Sequence, residues 1–199
     1  MITGIVLAAG SSSRLEGRPK QLLELHGRPL LQHTLDTVRD SGLQDVVVVL
    51  GHLAEQVRSA LDLAPEVRVV VNPDYASGQA SSLRVGLKAA GSDARAAVVL
   101  LGDQPGLKAD SIRLVIEEYE RSGSKVVQAH YKGRPGHPVL FDKATWEELK
   151  AIEGDKGARD VLKRHPEWIK AAELDRDLPP DLDTWEDYEK LRAGGPVNS

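Results

Sequence analysis

Short apolar runs alternate with amphipathic stretches along most of the chain. Residues 2–7, 45–50, 67–71 and 96–101 read as strands, and the run Val46-Val47-Val48-Val49 suits one buried on both faces. Between the first two, residues 21–25 lead into a turn at 26–29, and Pro29 takes the first position of a helix. Leu30, Leu31, Thr34, Leu35 and Val38 recur at helical spacing until Ser41-Gly42 closes that element. A turn at Gly51-His52 opens a second helix through about residue 61. A third carries Leu83, Gly86, Leu87 and Ala90 on one face, and a fourth covers 109–121, before a strand at 125–130. The period then changes. Residues 136–141 read as a short strand, 144–152 and 158–164 as helices separated by the turn Gly154-Asp155-Lys156-Gly157, 168–174 as a strand and 184–191 as a closing helix.

Strands that alternate with helices imply an α/β fold, a mainly parallel sheet with helices on both faces, because each parallel crossover needs a helix. No repeat, low-complexity block or linker divides the chain, so residues 1–192 form a single expected domain and 193–199 an expected disordered tail. Ligands of such sheets bind beyond the carboxyl ends of the strands. That rule gathers the loops after Leu7, Val71 and Leu101 on one edge.

The loop after Leu7 is the richest in chemistry. Gly10-Ser11-Ser12-Ser13 lets backbone N–H groups approach an anion closely, and Arg14 and Lys20 add a planar fork and a point charge. A triphosphate fits, and so does a surface loop with solvated cations. Neither G-x-x-x-x-G-K-[ST] nor G-x-G-x-x-G is present, so a P-loop and a dinucleotide fingerprint are both excluded. Asp103, directly after the strand at 96–101, suits Mg²⁺ as a hard oxygen ligand facing a triphosphate, or else a turn or helix cap.

Leu7-Ala8-Ala9-Gly10-Ser11-Ser12-Ser13-Arg14, with Lys20 six residues beyond the arginine, resembles the L-A-[AG]-G-x-S-x-R signature of the MobA-like nucleotidyltransferases. The resemblance runs from Leu7 to about Leu191 and is strongest to the molybdenum cofactor cytidylyltransferases. It implies a Rossmann-like three-layer sandwich of the nucleotide-diphospho-sugar transferase type. It also implies a loop from Leu7 to Ser12 wrapped around a nucleotide, with Arg14 and Lys20 on its phosphates. The string Leu101-Gly102-Asp103-Gln104-Pro105 resembles the family's metal motif, which makes Asp103 catalytic alongside Arg14 and Lys20. Asp181-Leu182-Asp183-Thr184 resembles its D-x-D-T segment. Asp183 is then either a second Mg²⁺ ligand or the N-cap of the last helix, with Glu186 completing a capping box.

Residues 72–86 resemble the family's base-reading segment, in which Ser82 matches a serine that contacts cytosine in related cytidylyltransferases. Asn72, Gly78, Gln79 and Ser81 are its neighbours, although serines are also ordinary at a helix start. Ala9 gives the L-A-A-G form, which accompanies CTP in the family, where L-A-G-G accompanies GTP. Gly133-Arg134-Pro135-Gly136-His137-Pro138 and Gly154-Asp155-Lys156-Gly157-Ala158-Arg159 resemble its acceptor-side segments. Gly136, His137, Asp155 and Arg159 are therefore acceptor candidates, and His137 either moves a proton or fixes its loop.

The implied reaction moves CMP from CTP to a molybdopterin-type acceptor, giving the cytosine dinucleotide and pyrophosphate, with delivery to a molybdenum hydroxylase. The same enzyme class with GTP, a sugar phosphate or a phospholactate, and a silent cofactor-carrying chaperone, are the rivals.

Composition trims this picture. A formal net charge of -4 with no basic tail argues against nucleic-acid binding. The absence of cysteine excludes disulfides and thiolate chemistry and is compatible with the cytoplasm. No segment reads as a membrane span. His26, His33, His52, His130 and His165 show no ligand spacing, and Trp146, Trp168 and Trp185 are spread out as core or helix anchors rather than as a stacking platform.

Overall fold

The computed structural model describes residues 1–11, 19–155 and 157–194. Its centre is a seven-stranded sheet in the order β5-β4-β1-β6-β8-β7-β9. The strands are β1 (Ile2–Ala8), β4 (Val46–Leu50), β5 (Val67–Val71), β6 (Ala96–Leu101), β7 (Val126–Tyr131), β8 (Arg134–Asp142) and β9 (Ile169–Leu174). A separate two-stranded ribbon pairs β2 (Glu24–Leu25) with β3 (Arg28–Pro29). Five strands, β4, β5, β6, β7 and β9, point the same way as β1. Only β8 opposes its neighbours, pairing antiparallel with both β6 and β7.

Alternation along each strand divides the core into two layers. Val6, Ala8, Val46, Val48, Val98 and Leu100 face α1 (Leu30–Asp40) and α4 (Ala109–Ser122), which contribute Leu31, Leu35, Ile112 and Val115. Ile5, Val47, Val49, Ala97 and Val99 face α3 (Gln79–Ala90) and α5 (Trp146–Lys150), with Leu83, Leu87, Trp146 and Leu149 against them. Both faces being covered is why the valine run shows no polar alternation. The expected three-layer sandwich is present.

The details differ from the sequence reading where local signals compete. Pro29 caps α1 rather than opening it, because its backbone is extended (ψ 141°) and pairs in the ribbon. The helix after Gly51-His52 is short, α2 (Ala54–Ser59). The strand read at 136–141 is longer, and its register slips between Gln128 and Ala129 of β7, leaving His137 and Pro138 outside the ladder. Proline has no N–H to give a ladder, so this is where the strand bulges. After α6 (Arg159–Arg164), the last helix, α7 (Trp185–Ala193), is capped by Thr184, whose hydroxyl accepts the Asp187 N–H while the Asp187 carboxylate accepts the Thr184 N–H. The capping box expected of Asp183 and Glu186 thus sits one residue later, and Asp183 is released from that duty. The end of the expected tail, 195–199, lies outside the described residues, as do Ser12 and Arg14.

Among the described residues no helix is long and apolar enough to cross a membrane. The tryptophans anchor structure as expected: Trp146 is buried, Trp168 stacks on His165 at 3.7 Å and Trp185 meets Tyr188 edge-on.

Candidate active site

A cleft opens at the carboxyl ends of β1 and β6, where the strand-end rule places it. One part, about 200 Å³, is lined by Ala8, Ala9, Gly10, Lys20, Tyr75 and Ser82, among others. The second, about 660 Å³, is walled by Gly136, His137, Arg159, Lys163, Asp181 and Asp183. Leu7, Gln79, Leu101 and Asp103 line both parts. The loop predicted for the nucleotide and the segments predicted for an acceptor therefore meet at Asp103.

The first wall is built by close approach. Gly102 N–H donates to the Leu7 carbonyl, and a Cβ at residue 102 would lie 2.8 Å from the Ala8 Cβ, so only glycine lets the two strand ends touch. Gln21, buried behind the loop, donates its Nε2 to the Ala8 and Gly10 carbonyls at 2.8 and 3.1 Å. This clamp fixes the backbone at Ala8 and Gly10, which line the cleft. It was missed in the sequence because a glutamine beside an apolar run carries no motif of its own.

Asn72 is also buried and does not line the cleft. Its Nδ2 donates to the Ser81 and Ser82 hydroxyls at 2.8 and 3.0 Å, while its Oδ1 accepts the Asp74 N–H. Ser81 turns inward to the Asp74 and Gly78 carbonyls, and Ser82 lines the cleft. Asn72 and Ser81 are thus placed to hold the loop, and Ser82, Gly78 and Gln79 to meet a ligand. Tyr75, unremarked in the sequence, adds an aromatic ring to this part; its hydroxyl lies 3.3 Å from His52 Nδ1. An aromatic residue inside a polar strand-end loop was the available signal.

The charged centre lies at the junction. Lys20 Nζ is hydrogen-bonded to Asp103 Oδ2, to the Leu182 carbonyl at 3.0 Å and to Asp183 Oδ1 at 3.4 Å. Burial alone would lower the lysine's pKa. The charge and hydrogen bond of Asp103, followed by those of Asp183, outweigh it and hold the ammonium above its ordinary value. Asp103 caps no helix, since α4 is capped at Lys108. Gln104, likewise missed, donates to Asp181 at 2.6 Å and, with Leu182 N–H on the Asp103 carbonyl, staples the 181–183 segment to the strand end.

Three oxygens from two carboxylates and a carbonyl converge on one cationic nitrogen, a donor set suited to a hard divalent ion. No cluster of three or more acidic or histidine side chains occurs among the described residues. Such an ion would complete its coordination with phosphate oxygens and water, which is the habit of Mg²⁺.

On the second wall, His137 Nδ1 lies 3.2 Å from the Val99 carbonyl and donates to it. Burial holds its pKa below the usual histidine value, against the opposing pull of that hydrogen bond and of Asp181 and Asp103. Asp155 does not line either part of the cleft; its Oδ1 lies instead beside Gly78. The neutral folded form of His137 makes a stability prediction. Unfolded histidine takes up a proton near pH 6.5 and the folded ring resists it, so stability is constant above about 6.5 and falls below it, by at most about 1.4 kcal/mol per pH unit. His137→Gln should remove that part of the acid slope, read from melting temperatures between about pH 5 and 8.

Residues 4–168 match the family described as the MobA-like NTP transferase domain. The chain belongs to this family. Nicotine blue oxidoreductase of Paenarthrobacter nicotinovorans is 34% identical over 96% of both chains. Rv0371c of Mycobacterium tuberculosis H37Rv superposes with a TM-score of 0.85 at 37% identity, covering 96% of this chain and 97% of that one. A further structure of Rv0371c, in complex with manganese, gives 0.81 at 34% identity over 96% of each chain. The bifunctional protein GlmU of Sorangium cellulosum is 34% identical over 61% of this chain, which spans only 27% of that protein.

Proposed function

We propose that this nucleotidyltransferase-family protein moves CMP from CTP to a phosphorylated acceptor of the molybdopterin type, releasing pyrophosphate. The observation that carries this reading is the junction at Asp103, where a small glycine-walled pocket meets a larger one beside two carboxylates and a lysine. An acceptor phosphate oxygen attacks the α-phosphorus in line. The new O–P bond forms as the α–β bridging P–O bond breaks, and its electron pair leaves with pyrophosphate. Lys20, and Arg14 from its motif position, neutralise the charge gathering on that leaving group. Asp103 and Asp183 would hold the divalent ion, Mg²⁺ in this reading, which supplies charge neutralisation across the phosphates; the manganese complex of Rv0371c supports an ion of this class. His137, neutral and donating to Val99, orients the wall rather than moving a proton. No protein nucleophile is needed, because the acceptor phosphate is already ionised. A cytoplasmic setting and delivery of the product to a molybdenum hydroxylase belong to the same reading.

Ala9 is buried and lines the first pocket, which supports its part in base choice. Ala9→Gly should relax the CTP preference over GTP by about tenfold or more, since one methyl group is worth about 1–3 kcal/mol of discrimination. Ratios of kcat/KM for the two nucleotides check it.

The P. nicotinovorans relative favours a second reading, in which the same cleft serves oxidoreduction. One experiment separates them. Pyrophosphate release is followed from CTP and GTP with Mg²⁺ and molybdenum-loaded molybdopterin, in parallel with consumption of NADH or NADPH. CTP-dependent pyrophosphate supports transfer to this acceptor. Nicotinamide oxidation without pyrophosphate overturns it, and release only with another base or acceptor moves the substrate within the class.

A further inference from the structure

We propose that Lys20 is an internal substitute for the divalent ion: its ammonium occupies the carboxylate site until a nucleotide draws it away. The metal therefore binds well only together with the triphosphate. This rests on the metal reading of Asp103 and Asp183 given above.

The geometry supplies the reasoning. The oxygens that suit a divalent ion are those that hold Lys20 Nζ: Asp103 Oδ2, the Leu182 carbonyl and Asp183 Oδ1. Lys20 and Asp103 are both largely shielded from water, with side chains 17% and 20% exposed, so their attraction is weakly screened. A metal ion entering alone must displace that ammonium, and two cations cannot share so small a ring of oxygens. The entering ion thus gains the carboxylates only by breaking the charge-assisted pair that Lys20 makes with them.

A triphosphate changes the balance. Lys20 lines the first pocket, and the phosphates offer its ammonium replacement oxygens on that side. Once the lysine swings to them, Asp103 and Asp183 are released to the ion that arrives with the nucleotide. The lysine thereby ties the two ligands together, and by linkage each raises the affinity of the other by the same factor. A site of this design keeps free metal out of the empty enzyme.

The test measures Mn²⁺ binding by electron paramagnetic resonance of the free ion, for the full chain and for Lys20→Met, with and without a non-hydrolysable CTP analogue. Without nucleotide, Lys20→Met should bind Mn²⁺ at least about tenfold more tightly than the parent chain. It should bind the analogue more weakly, and the mutual strengthening of metal and nucleotide should shrink. Juxtaposed carboxylates also make Mn²⁺ raise the melting temperature of Lys20→Met more than that of the parent, a readout that survives a partly destabilised variant. Unchanged or weaker Mn²⁺ binding by Lys20→Met, while the parent chain binds Mn²⁺ with the analogue, overturns the substitution and leaves the metal site standing. Mn²⁺ bound by neither chain under any of these conditions overturns both. Asp183→Asn in the Lys20→Met background should give back the affinity gained; a gain that persists there places the ion elsewhere and overturns the proposal.

Discussion

Asp103→Asn is expected to leave the chain folded and to lower kcat/KM for nucleotidyl transfer by about a hundredfold to a thousandfold or more. The side chain carries little of the fold. It caps no helix, its hydrogen bond is to Lys20, and that lysine retains the Leu182 carbonyl and Asp183 when the carboxylate becomes an amide. In the proposed transfer it carries much of the chemistry. Asp103 lines both parts of the cleft, and in the proposed reaction its charge lies at the junction of donor and acceptor. Losing one preorganised electrostatic partner of a reacting centre costs on the order of a hundredfold to a thousandfold. A carboxylate that anchors a divalent ion is more demanding, because an amide oxygen carries no charge to hold it. Steady-state kinetics beside a thermal melt decides the matter. Full activity in a folded Asp103→Asn protein would remove the metal assignment, and a collapsed melting temperature would show that the residue is structural.

How much of this was legible beforehand depends on the range of the interaction. Strand and helix types followed from local periodicity, and the strand-end rule then collected Gly10, Lys20, Ser82 and Asp103 at one edge without any knowledge of contacts. The sheet order and the reversed β8 did not follow, because antiparallel insertion of a late strand is a long-range choice that local pattern leaves open. The same limit applies to the site. The Gln104–Asp181 bond joins residues 77 apart, and nothing in either segment announces the other. Asp183 shows the competition most clearly. As an acidic residue at a helix start it looked like a cap, yet Thr184 beside it offers the hydroxyl that closes the box with Asp187. Once Thr184 takes the cap, Asp183 can face Lys20. A family motif pointed to the position; only the capping geometry showed that Thr184, not Asp183, takes the cap.

Gly78→Ala should damage the protein strongly although it alters no chemical group of the cleft. Gly78 precedes α3 with φ +109° and ψ 172°, a region reserved almost entirely for glycine, so a side chain there costs about 1–3 kcal/mol in strain. Space compounds the cost. A Cβ would lie 2.4 Å from the Gly154 carbonyl carbon and 2.6 Å from Asp155 Oδ1, and relief of such overpacking typically costs about 1–3 kcal/mol more. The backbone displaced is the one that accepts Ala80 N–H through the Gly154 carbonyl, beside Gln79 and Ser82 in the cleft wall. Gly91, at the other end of the same helix, separates the two terms. Its φ of +79° and ψ of -176° carry similar strain, but nothing lies within 4 Å of a Cβ there. Urea unfolding should therefore rank Gly78→Ala below Gly91→Ala, with both below the parent chain. Only Gly78→Ala should raise KM for the nucleotide, because only that end of the helix borders the ligand. Equal losses of stability and unchanged nucleotide KM in both would mean that the 154–155 segment yields freely and that the wall of the cleft does not depend on this contact.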